Sequence, residues 1–366
     1  MKVLFITNIP APYRIDFYNE LGKHIDLTVI FEAKGAEGIR FNWNIEEIKN
    51  FKSIFLSEGN INEKKVDWKI FKYINKHEYD YIVVTSYSYF TEMMALIYMK
   101  LRRIPYFMET DGGLIRKENS FKRLYKKFLI SHAKGYFSPS KGSDDYLVYY
   151  GANRNCVYRY PFTSLKESEI LNSIPSEDEI FYIKEELKIK EEKVILSVGQ
   201  FIYRKGYDIL LKACKDLDEN IGVYIIGGKV TEEYKQLINT LGLKNINFLE
   251  FEKKEVLYKY YKAADLFILP TREDIWGLVI NEAMAHGLPV ITTKKCVAGM
   301  ELVIKGVNGE IVEVEDFTEM RLAIENILYS KEIKELQKSS LSIIKKYTIE
   351  EMAKAHLKIF MKDKSV

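Results

Sequence analysis

Short apolar runs alternate with amphipathic segments along the whole chain. In the first half, continuous apolar runs predict buried strands at residues 2–7, 27–31, 81–85, 105–108 and 135–138. The second half repeats the pattern, with strands predicted at residues 193–198, 223–226, 247–249, 266–269 and 290–292. Segments between them, such as residues 90–102, have the apolar spacing of helices. Strands that alternate with helices predict parallel sheets, and two such series predict two doubly wound α/β domains.

The length of the chain supports the same division. At 366 residues it exceeds the size at which a single core stops growing. A polar, acidic stretch at residues 166–192 separates the two series and is expected to hold the linker and a first helix. The last segment, residues 348–362, has helical spacing and is long enough to reach back across the domain boundary. We therefore predict an N-terminal domain at 1–165, a C-terminal domain at 166–345, and a final helix at 346–366 that returns to the N-terminal domain.

Composition and charge narrow the class of protein. Hydrophobic residues make up 47% and charged residues 29% of the chain, which is typical of a folded globular protein. No apolar run approaches the roughly 18 to 20 residues of a membrane span, so we expect neither export nor insertion, and a cytoplasmic location. The net charge of +3 is uneven: residues 1–165 carry 25 Lys and Arg against 18 Asp and Glu. The basic half can meet nucleic acid, anionic lipid or a phosphorylated acceptor, and composition alone does not choose among them.

Cysteine and acidic patterns indicate neither a disulfide framework nor a metal site. Cys156, Cys214 and Cys296 are far apart and odd in number, so we expect reduced, buried thiols. Asp216 and Asp218 form an Asp-x-Asp sequence, but they lie in a charged stretch that ends a predicted helix and indicate a solvated turn. The five histidines have no ligand spacing, so no metal and no cofactor are expected.

The most informative segment is residues 269–291, which read Leu-Pro-Thr-Arg-Glu-Asp-Ile-Trp-Gly-Leu-Val-Ile-Asn-Glu-Ala-Met-Ala-His-Gly-Leu-Pro-Val-Ile. A strand ends at its start, a loop carries Glu273 and Asp274, and a helix at 278–285 stops at Gly287. The start of such a helix bears partial positive charge and unpaired amides, which suit a diphosphate. The amides in question belong to Gly277, Leu278 and Val279.

Glu282 lies one turn further into this helix. Its carboxylate has two oxygens and can accept hydrogen bonds from two ribose hydroxyls. Without other information, an ordinary α/β helix with a capping acid explains the same segment.

These residues resemble the signature of the retaining glycosyltransferases of family 4, which have the GT-B fold. An acid, seven residues and Glu282 are followed by Ala-Met-Ala-x-Gly-x-Pro-Val-Ile, as in that family. The family's first acid is Glu, and the corresponding position here is Asp274, with Glu273 beside it. The shorter side chain leaves open which of the two acids faces the donor sugar. The resemblance implies two Rossmann-like domains facing a central cleft, and an enzyme of the bacterial envelope or capsular polysaccharide type.

A second segment, residues 197–208, reads Ser-Val-Gly-Gln-Phe-Ile-Tyr-Arg-Lys-Gly-Tyr-Asp and resembles the family's diphosphate loop. The family places a Lys six residues after the glycine, and Lys205 holds that place relative to Gly199. Gln200 replaces the usual Arg directly after the glycine, and Arg204 is the candidate to restore its charge. Fixed cations suit a leaving nucleoside diphosphate, whose negative charge grows during the reaction.

Further segments extend the resemblance over residues 194–312. Gly228 ends a strand whose turn passes close to the donor in the family, and Phe251 belongs to the loop that receives the base. The resemblance implies a nucleotide-sugar donor, most readily a UDP-sugar, held by the C-terminal domain. It also implies a metal-independent transfer that retains anomeric configuration, with Lys205, Asp274, Glu273 and Asp111 as the catalytic candidates.

The N-terminal domain offers acceptor residues at the ends of predicted strands. Tyr13 and Arg14 follow the first strand, where the switch-point rule for doubly wound sheets places ligands. Glu109 follows a later strand, with Asp111 two residues on. Many family members carry a catalytic His near this point, and Asp111 is the candidate substitute here.

The sequence also bears on functions other than glycosyl transfer. A dinucleotide-dependent dehydrogenase requires GxGxxG after a first strand, and neither first strand is followed by it. A nucleotide-sugar epimerase of the same fold stays open, as does a nucleotide-sugar-binding subunit with an inactive site, which Asp274, Gln200 and the missing His suggest.

The segment at residues 116–134, from Arg116 to Lys134, predicts where the protein works. On a helical wheel four apolar side chains share one side and four basic ones the opposite arc: Phe121, Leu124, Tyr125 and Phe128, against Lys122, Arg123, Lys126 and Lys127. The apolar side is explained equally well as this helix's share of the core. The basic arc predicts reversible attachment to an anionic membrane surface. We therefore expect a peripheral enzyme at the inner face of a bacterial-type membrane that acts on a saccharide or lipid-linked saccharide acceptor, and no nucleic-acid partner.

Overall fold

The computed structural model describes residues 1–36, 47–62 and 64–364 of the chain. Contacts between Cα atoms divide the chain into two compact units. The first unit combines Met1–Ser164 with Thr348–Val366, and the second is Leu165–Tyr347. The divisions expected from the sequence lie one or two residues away, at 165/166 and 345/346.

The first unit contains a parallel sheet of seven strands within its described residues, in the order β3-β2-β1-β4-β5-β6-β7. The strands are β1 (Lys2–Thr7), β2 (Asp26–Gly35), β3 (Lys52–Asn60), β4 (Tyr81–Val84), β5 (Phe107–Glu109), β6 (Gly135–Ser138) and β7 (Val157–Arg159). The helices between them are α1 (Pro12–Gly22), α2 (Ile70–Tyr73), α3 (Phe90–Leu101), α4 (Ser120–Ile130) and α5 (Lys141–Tyr149). The strand order reverses direction between β1 and β4, which defines the switch point of this sheet.

The second unit contains a parallel sheet of six strands in its described residues, in the order β10-β9-β8-β11-β12-β13. Its strands are β8 (Lys193–Val198), β9 (Ile221–Ile226), β10 (Ile246–Leu249), β11 (Leu266–Leu269), β12 (Val290–Thr293) and β13 (Gly309–Val312). Its helices are α6 (Glu177–Leu187), α7 (Tyr207–Ala213), α8 (Glu232–Leu241), α9 (Lys254–Ala263), α10 (Leu278–Ala285), α11 (Val297–Leu302), α12 (Phe317–Leu328) and α13 (Ile333–Ile344). The switch point lies between β8 and β11.

The final helix, α14 (Ile349–Lys364), belongs to the first unit, as the sequence predicted. Phe360 is buried, and its carbonyl oxygen accepts a hydrogen bond of 2.7 Å from the Tyr81 hydroxyl. Buried His356 stacks on the Phe137 ring with centroids 4.3 Å apart. The apolar side of α14 therefore completes the core on one face of the first sheet.

The predicted fold class is confirmed: both sheets are parallel and doubly wound, with strands at the predicted apolar runs. Three strands were not predicted, namely β3, β7 and β13. All three lie at sheet edges, where a strand pairs on one side only. Each is only partly buried, so its sequence has no continuous apolar run.

Other expectations concern thiols and membrane spans. All three cysteines are free; Cys214 and Cys296 are buried as expected, whereas Cys156 is half-buried. No helix in the described part of the chain is long and apolar enough to cross a membrane.

Candidate functional site

Two loops of the second unit emerge at the switch point of its sheet. After β8, Gly199 adopts a φ of +149° and its amide donates to the Ile226 carbonyl oxygen over 2.8 Å. The chain then forms a 3-10 turn at Tyr203–Lys205. The second loop follows β11 and leads to α10. Because β8 and β11 are neighbouring parallel strands, both loops lie at the same edge of the sheet, where ligands bind in doubly wound folds.

Lys205, Arg204 and Asp274 meet between these loops. Lys205 Nζ lies 2.7 Å from Asp274 Oδ2, and Arg204 Nη1 lies 3.3 Å from Asp274 Oδ1. The side chains of Lys205 and Asp274 are each 12% exposed, whereas that of Arg204 is 45% exposed. One carboxylate therefore holds two cations in place. Ion pairs shielded from water in this way are stronger than surface pairs.

Backbone contacts fix the two loops to each other. The Arg204 carbonyl oxygen accepts from Thr271 Oγ1 at 2.9 Å and from the Arg272 amide at 2.8 Å. Arg204 Nη1 also donates to the Glu273 carbonyl oxygen over 2.8 Å. A side chain at Gly206 would place its Cβ 2.1 Å from the Pro270 carbonyl oxygen. The loops thus approach too closely for any residue but glycine at that position.

Arg272, in the second loop, binds residues of the first loop and of the start of α7. The sequence alone assigned it no role. Its guanidinium makes two hydrogen bonds to Asp208, of 2.9 and 2.8 Å, and lies 3.8 Å from the centroid of the Tyr203 ring. Burial raises the pKa of Asp208, but the hydrogen bonds and charge of Arg272 outweigh it and lower that pKa overall. Asp208 and Arg272 lie inside the two segments that carry the family resemblance. Their position in those segments was the sequence feature that could have identified them.

The turn before α10 is rigid. Gly277 has a φ of +103°, and a Cβ there would lie 3.0 Å from Cys296 Sγ. Buried Trp276 donates from Nε1 to Asn281 Oδ1 over 2.9 Å. This geometry directs the first amides of α10, those of Leu278 and Val279, out of the helix start, where amides lack partners within the helix.

Glu282 is half-buried and held from two sides. Its Oε2 accepts a hydrogen bond of 3.1 Å from the Tyr261 hydroxyl. Its carbonyl oxygen lies 2.8 Å from His286 Nδ1, which therefore carries the hydrogen. Burial lowers the pKa of His286 to about 4, so the ring is neutral near pH 7. The Tyr261 hydroxyl thus orients the half-buried carboxylate in the second turn of the helix.

Phe251 and Gly228 pack together at the ends of neighbouring strands. Gly228 follows β9 with a φ of +89°, and a Cβ there would lie 2.5 Å from the Phe251 ring. The Phe251 side chain is 53% exposed. Gln200, at the same sheet edge, is exposed. The arrangement offers an aromatic surface beside the diphosphate loop.

In the first unit, three of the predicted residues lie in one network. Arg14 Nη2 donates to both oxygens of Asp111, over 2.8 and 2.7 Å, and the Tyr13 hydroxyl donates to Asp111 Oδ2 over 3.2 Å. Burial raises the pKa of Asp111, although the charge of Arg14 opposes it. Burial likewise works against the charged form of Arg14, but the attraction of Asp111 outweighs it and raises the pKa of the guanidinium. Arg14 therefore stays charged.

Glu109 lies behind Arg14 and is buried. Its Oε1 is 3.5 Å from Arg14 Nη1, and its Oε2 is 3.0 Å from His356 Nε2 on α14. The carboxylate therefore links the end of β5 to α14 and supports Arg14. Glu109 is thus held by partners inside the first unit, and its predicted contact with an acceptor stays a prediction.

The Asp216-x-Asp218 sequence lies in the turn after α7. Asp216 pairs with Arg321 at 3.2 Å, and Asp218 Oδ1 accepts from the Asn220 amide at 2.9 Å. Both carboxylates thus have partners in the second unit, that of Asp216 on α12 and that of Asp218 within the turn.

The family of the second unit follows from comparison with known proteins. A family model described as glycosyl transferases group 1 matches residues 178–346, which cover most of this unit. The second unit is therefore similar to the group 1 glycosyl transferases. The loop after β8 and helix α10 are the elements that carried the resemblance in the sequence.

Individual relatives in this comparison are also named as glycosyltransferases. The lipopolysaccharide glucosyltransferase WaaG of Escherichia coli is 30% identical over 154 residues, or 41% of this chain and 40% of that protein. The D-inositol 3-phosphate glycosyltransferase of Corynebacterium diphtheriae is 32% identical over 148 residues, or 37% of this chain and 34% of the relative. These alignments span less than half of each relative's own length.

Solved structures extend the likeness of fold to the whole chain. HepE of Anabaena, solved in complex with UDP, matches with a TM-score of 0.79 at 18% identity, covering 100% of both chains. WaaG matches with a TM-score of 0.68 at 15% identity, covering 98% of this chain and 99% of that one. The chain therefore has the GT-B fold.

Proposed function

We propose that the chain is a retaining, metal-independent glycosyltransferase that moves a sugar from a UDP-sugar to a saccharide acceptor. The arrangement of Lys205, Arg204 and Asp274 at the β8/β11 switch point, next to the start of α10, carries this proposal. In this arrangement two cations and the first amides of α10 lie together at the switch point, where doubly wound folds bind ligands, and both kinds of group suit a diphosphate.

Lys205 is proposed to stabilise the leaving diphosphate. The bond between the anomeric carbon and the β-phosphate oxygen breaks, and the electron pair remains on that oxygen. The acceptor hydroxyl attacks from the same face, and its proton passes to the departing phosphate. Arg204 supplies the second positive charge, because Gln200 is uncharged. A cation that is already in position stabilises the transition state more than the ground state, since the negative charge on the diphosphate grows as the bond breaks.

The two acids before α10 receive different roles in this proposal. Asp274 orients Lys205 and Arg204, because both of its oxygens are engaged by them. Glu273 is more exposed and is proposed to contact the hydroxyls of the donor sugar. In the first unit, Asp111 and Tyr13 are proposed to contact the acceptor, with Arg14 holding Asp111 in place.

The donor's nucleoside is proposed to lie between Phe251 and Glu282. The exposed ring of Phe251 can stack on a base, and the fixed carboxylate of Glu282 can accept from both ribose hydroxyls. Uridine is the proposed nucleoside, since HepE, whose fold is similar, was solved with UDP.

Replacing Glu282 by alanine is expected to act on donor affinity. Loss of two hydrogen bonds to a charged group predicts about 3–6 kcal/mol weaker binding of UDP, since each contributes about 1.5–3 kcal/mol. Turnover at saturating donor should fall much less. Calorimetric titration with UDP and steady-state kinetics separate the two effects, and Glu325→Ala on α12 is a matched control. An unchanged Kd for UDP would remove Glu282 from the donor site.

The membrane proposal rests on α4, because its apolar side is exposed. The alternative that this side belongs to the core does not hold, because only Leu129 and Ile130 of α4 are buried. Phe121 is 82% exposed and Leu124 65% exposed, and Phe128 and Tyr125 are also exposed. Such a face is typical of helices that lie in a membrane interface.

Basic side chains flank this apolar face. Lys122, Arg123 and Lys127 are exposed, and Lys100 Nζ lies 3.4 Å from the centroid of the Phe128 ring. Lys126 instead pairs with Glu118 at 2.8 Å. We propose that α4 binds the anionic inner leaflet of a plasma membrane, with the protein in the cytoplasm. A lipid-linked saccharide of envelope polysaccharide synthesis is the proposed acceptor, which the relative named as a lipopolysaccharide glucosyltransferase supports.

The reaction is expected to proceed with chelator present and to retain anomeric configuration. Purified protein is incubated with UDP-glucose, UDP-galactose or UDP-N-acetylglucosamine in EDTA, with water or a simple glycoside as acceptor. Proton NMR of the anomeric signal in the first minutes of reaction gives the product's configuration. Loss of activity with EDTA, or a first product of inverted configuration, would contradict the mechanism.

The same experiment separates the alternatives. An epimerase would change the configuration of a sugar carbon without needing an acceptor. A binding subunit with an inactive site would bind UDP but release none from any UDP-sugar.

A further inference from the structure

A cavity lined largely by polar side chains lies in the first unit, at the carboxyl ends of β2 and β3. It has a volume of about 600 Å³ and is separate from the contacts of Arg14 and Asp111. Its buried side is formed by Glu32 on β2 and Thr91 at the start of α3, both nearly inaccessible. Since β2 pairs with β1, the cavity opens at the same sheet edge that carries Tyr13 and Arg14.

An exposed tryptophan stands at the mouth of this cavity. Trp68 is 65% exposed, although tryptophan is usually among the more buried residues. Its ring centroid lies 5.8 Å from that of Phe71 on α2, so one part of the indole is supported by protein and the rest is open. A rigid, supported aromatic surface stacks well on the apolar face of a flat ligand.

Hydrogen-bonding groups surround the tryptophan. Asn60, Asn62 and Asp67 line the cavity, and their amides and carboxylate both donate and accept. The Asp67 amide donates to Thr91 Oγ1 over 3.1 Å, which fixes the Asp67 segment to α3. Such a set, next to an aromatic surface, suits a ligand with one apolar face and a rim of hydroxyls.

Glu32 adds a carboxyl group that is adapted to hydroxyl ligands. The Glu92 amide donates to Glu32 Oε1 over 3.2 Å. Burial raises the pKa of Glu32 to about 7 and that of Glu92 well above its usual range. Near neutral pH the Glu32 carboxyl exists in both protonation states, so it can donate to or accept from a hydroxyl. Glu92 is fully buried beside Glu32, and the charge of Glu32 contributes to the raised pKa of Glu92.

The charges around the cavity favour a neutral ligand. Lys69 Nζ donates to the Leu56 carbonyl oxygen over 3.1 Å and lies 3.9 Å from Asp67 Oδ2. Lys65 lines the cavity beside the carboxyl groups of Glu32 and Asp67. An anionic ligand would be repelled by the two acids, and a cationic ligand would be repelled by the two lysines. A neutral polyhydroxyl ligand can form hydrogen bonds with all of these groups.

We propose that this cavity binds a neutral pyranose unit of the saccharide acceptor, with Trp68 stacked on its apolar face and Glu32, Asn60 and Asp67 bonded to its hydroxyls. The assignment of this sugar to the acceptor rests on the proposed transferase function. The site provides a second point of attachment, away from the residues around Asp111, and it selects acceptors that carry a sugar beyond the reacting one.

The test measures sugar binding to the whole chain without any donor. Methyl glycosides of glucose, galactose, mannose and N-acetylglucosamine are examined by saturation-transfer difference NMR. At least one is expected to bind in the millimolar range. Trp68→Ala should weaken that binding about tenfold or more, Trp68→Phe should restore most of it, and Glu32→Gln should weaken it less than Trp68→Ala.

Tyr182→Ala is the matched control, because Tyr182 is an exposed aromatic residue of α6 in the second unit. It should bind the sugar as the wild type does. Absence of saturation transfer with every glycoside, or equal binding by Trp68→Ala, would overturn the proposal. Release of UDP from UDP-sugars by the wild type is measured in parallel. Sugar binding without UDP release would overturn the transferase function and leave a saccharide site. UDP release without sugar binding would overturn the sugar site and leave the transferase function.

Discussion

Replacing Lys205 by alanine is expected to lower kcat/KM for sugar transfer by about 10²–10³-fold, or roughly 2–4 kcal/mol of transition-state stabilisation. The ammonium group is fixed by Asp274 at 2.7 Å and is largely shielded from water, so its charge acts on the leaving diphosphate with little screening. The main loss should be in kcat, because negative charge on the bridging oxygen develops only as the bond breaks.

Two further variants sharpen this experiment. Asp274→Asn keeps the shape of the side chain but removes the negative charge that holds Lys205 and Arg204 in position. It should therefore lower kcat, as Lys205→Ala does. Lys215→Ala, an exposed lysine of the same unit, is the control and should have wild-type kinetics. Near-normal turnover by a folded Lys205→Ala protein would show that the diphosphate binds elsewhere.

Replacing both Phe121 and Leu124 by alanine is expected to lower binding to anionic liposomes by about 100-fold or more. Burying one such side chain in an apolar environment contributes about 1.5–3 kcal/mol, whereas each basic residue near an anionic surface contributes about 1 kcal/mol. The exposed apolar side chains of α4 should therefore contribute more than any single charge. Because both residues are exposed, their replacement should not change the stability of the fold.

Co-sedimentation with anionic and neutral vesicles at low and high salt measures this effect. A double variant of Phe181 and Tyr182 on α6 to alanine removes a comparable exposed aromatic area from the second unit and is the control. Equal binding of wild type and Phe121→Ala/Leu124→Ala, or binding that ignores lipid charge and salt, would refute a role for α4 at the membrane. A soluble saccharide would then be the better acceptor.

The sequence was sufficient to predict the central strands and to single out the two loops at the switch point of the second sheet. Central parallel strands are buried on both faces and read as apolar runs, and Lys205 and Asp274 lie in segments whose spacing is distinctive. The contact between them could be anticipated because β8 and β11 both lead to the switch point of one sheet. The edge strands β3, β7 and β13 could not be predicted in this way, since partial burial leaves no continuous apolar run.

Long-range partners were beyond the reach of the sequence. Glu109 and His356 are 247 residues apart, and only the packing of α14 brings them within 3.0 Å. The same holds for α4, because a helical wheel shows that one side is apolar but not whether protein covers it. Trp68 and Glu32 show no sequence motif at all, and their relation to one cavity depends on the pairing of β2 with β3.

The central claim is that the second unit holds a uridine diphosphate on Lys205, Arg204 and the start of α10. Calorimetric titration of the whole chain with UDP, in buffer containing EDTA, tests it most directly, with GDP and ADP for comparison. The account predicts saturable binding of UDP in the micromolar to low-millimolar range, tighter than that of the other two nucleotides and weakened at least about tenfold by Lys205→Ala. Absence of binding by all three nucleotides, or equal UDP binding by wild type and Lys205→Ala, would contradict it.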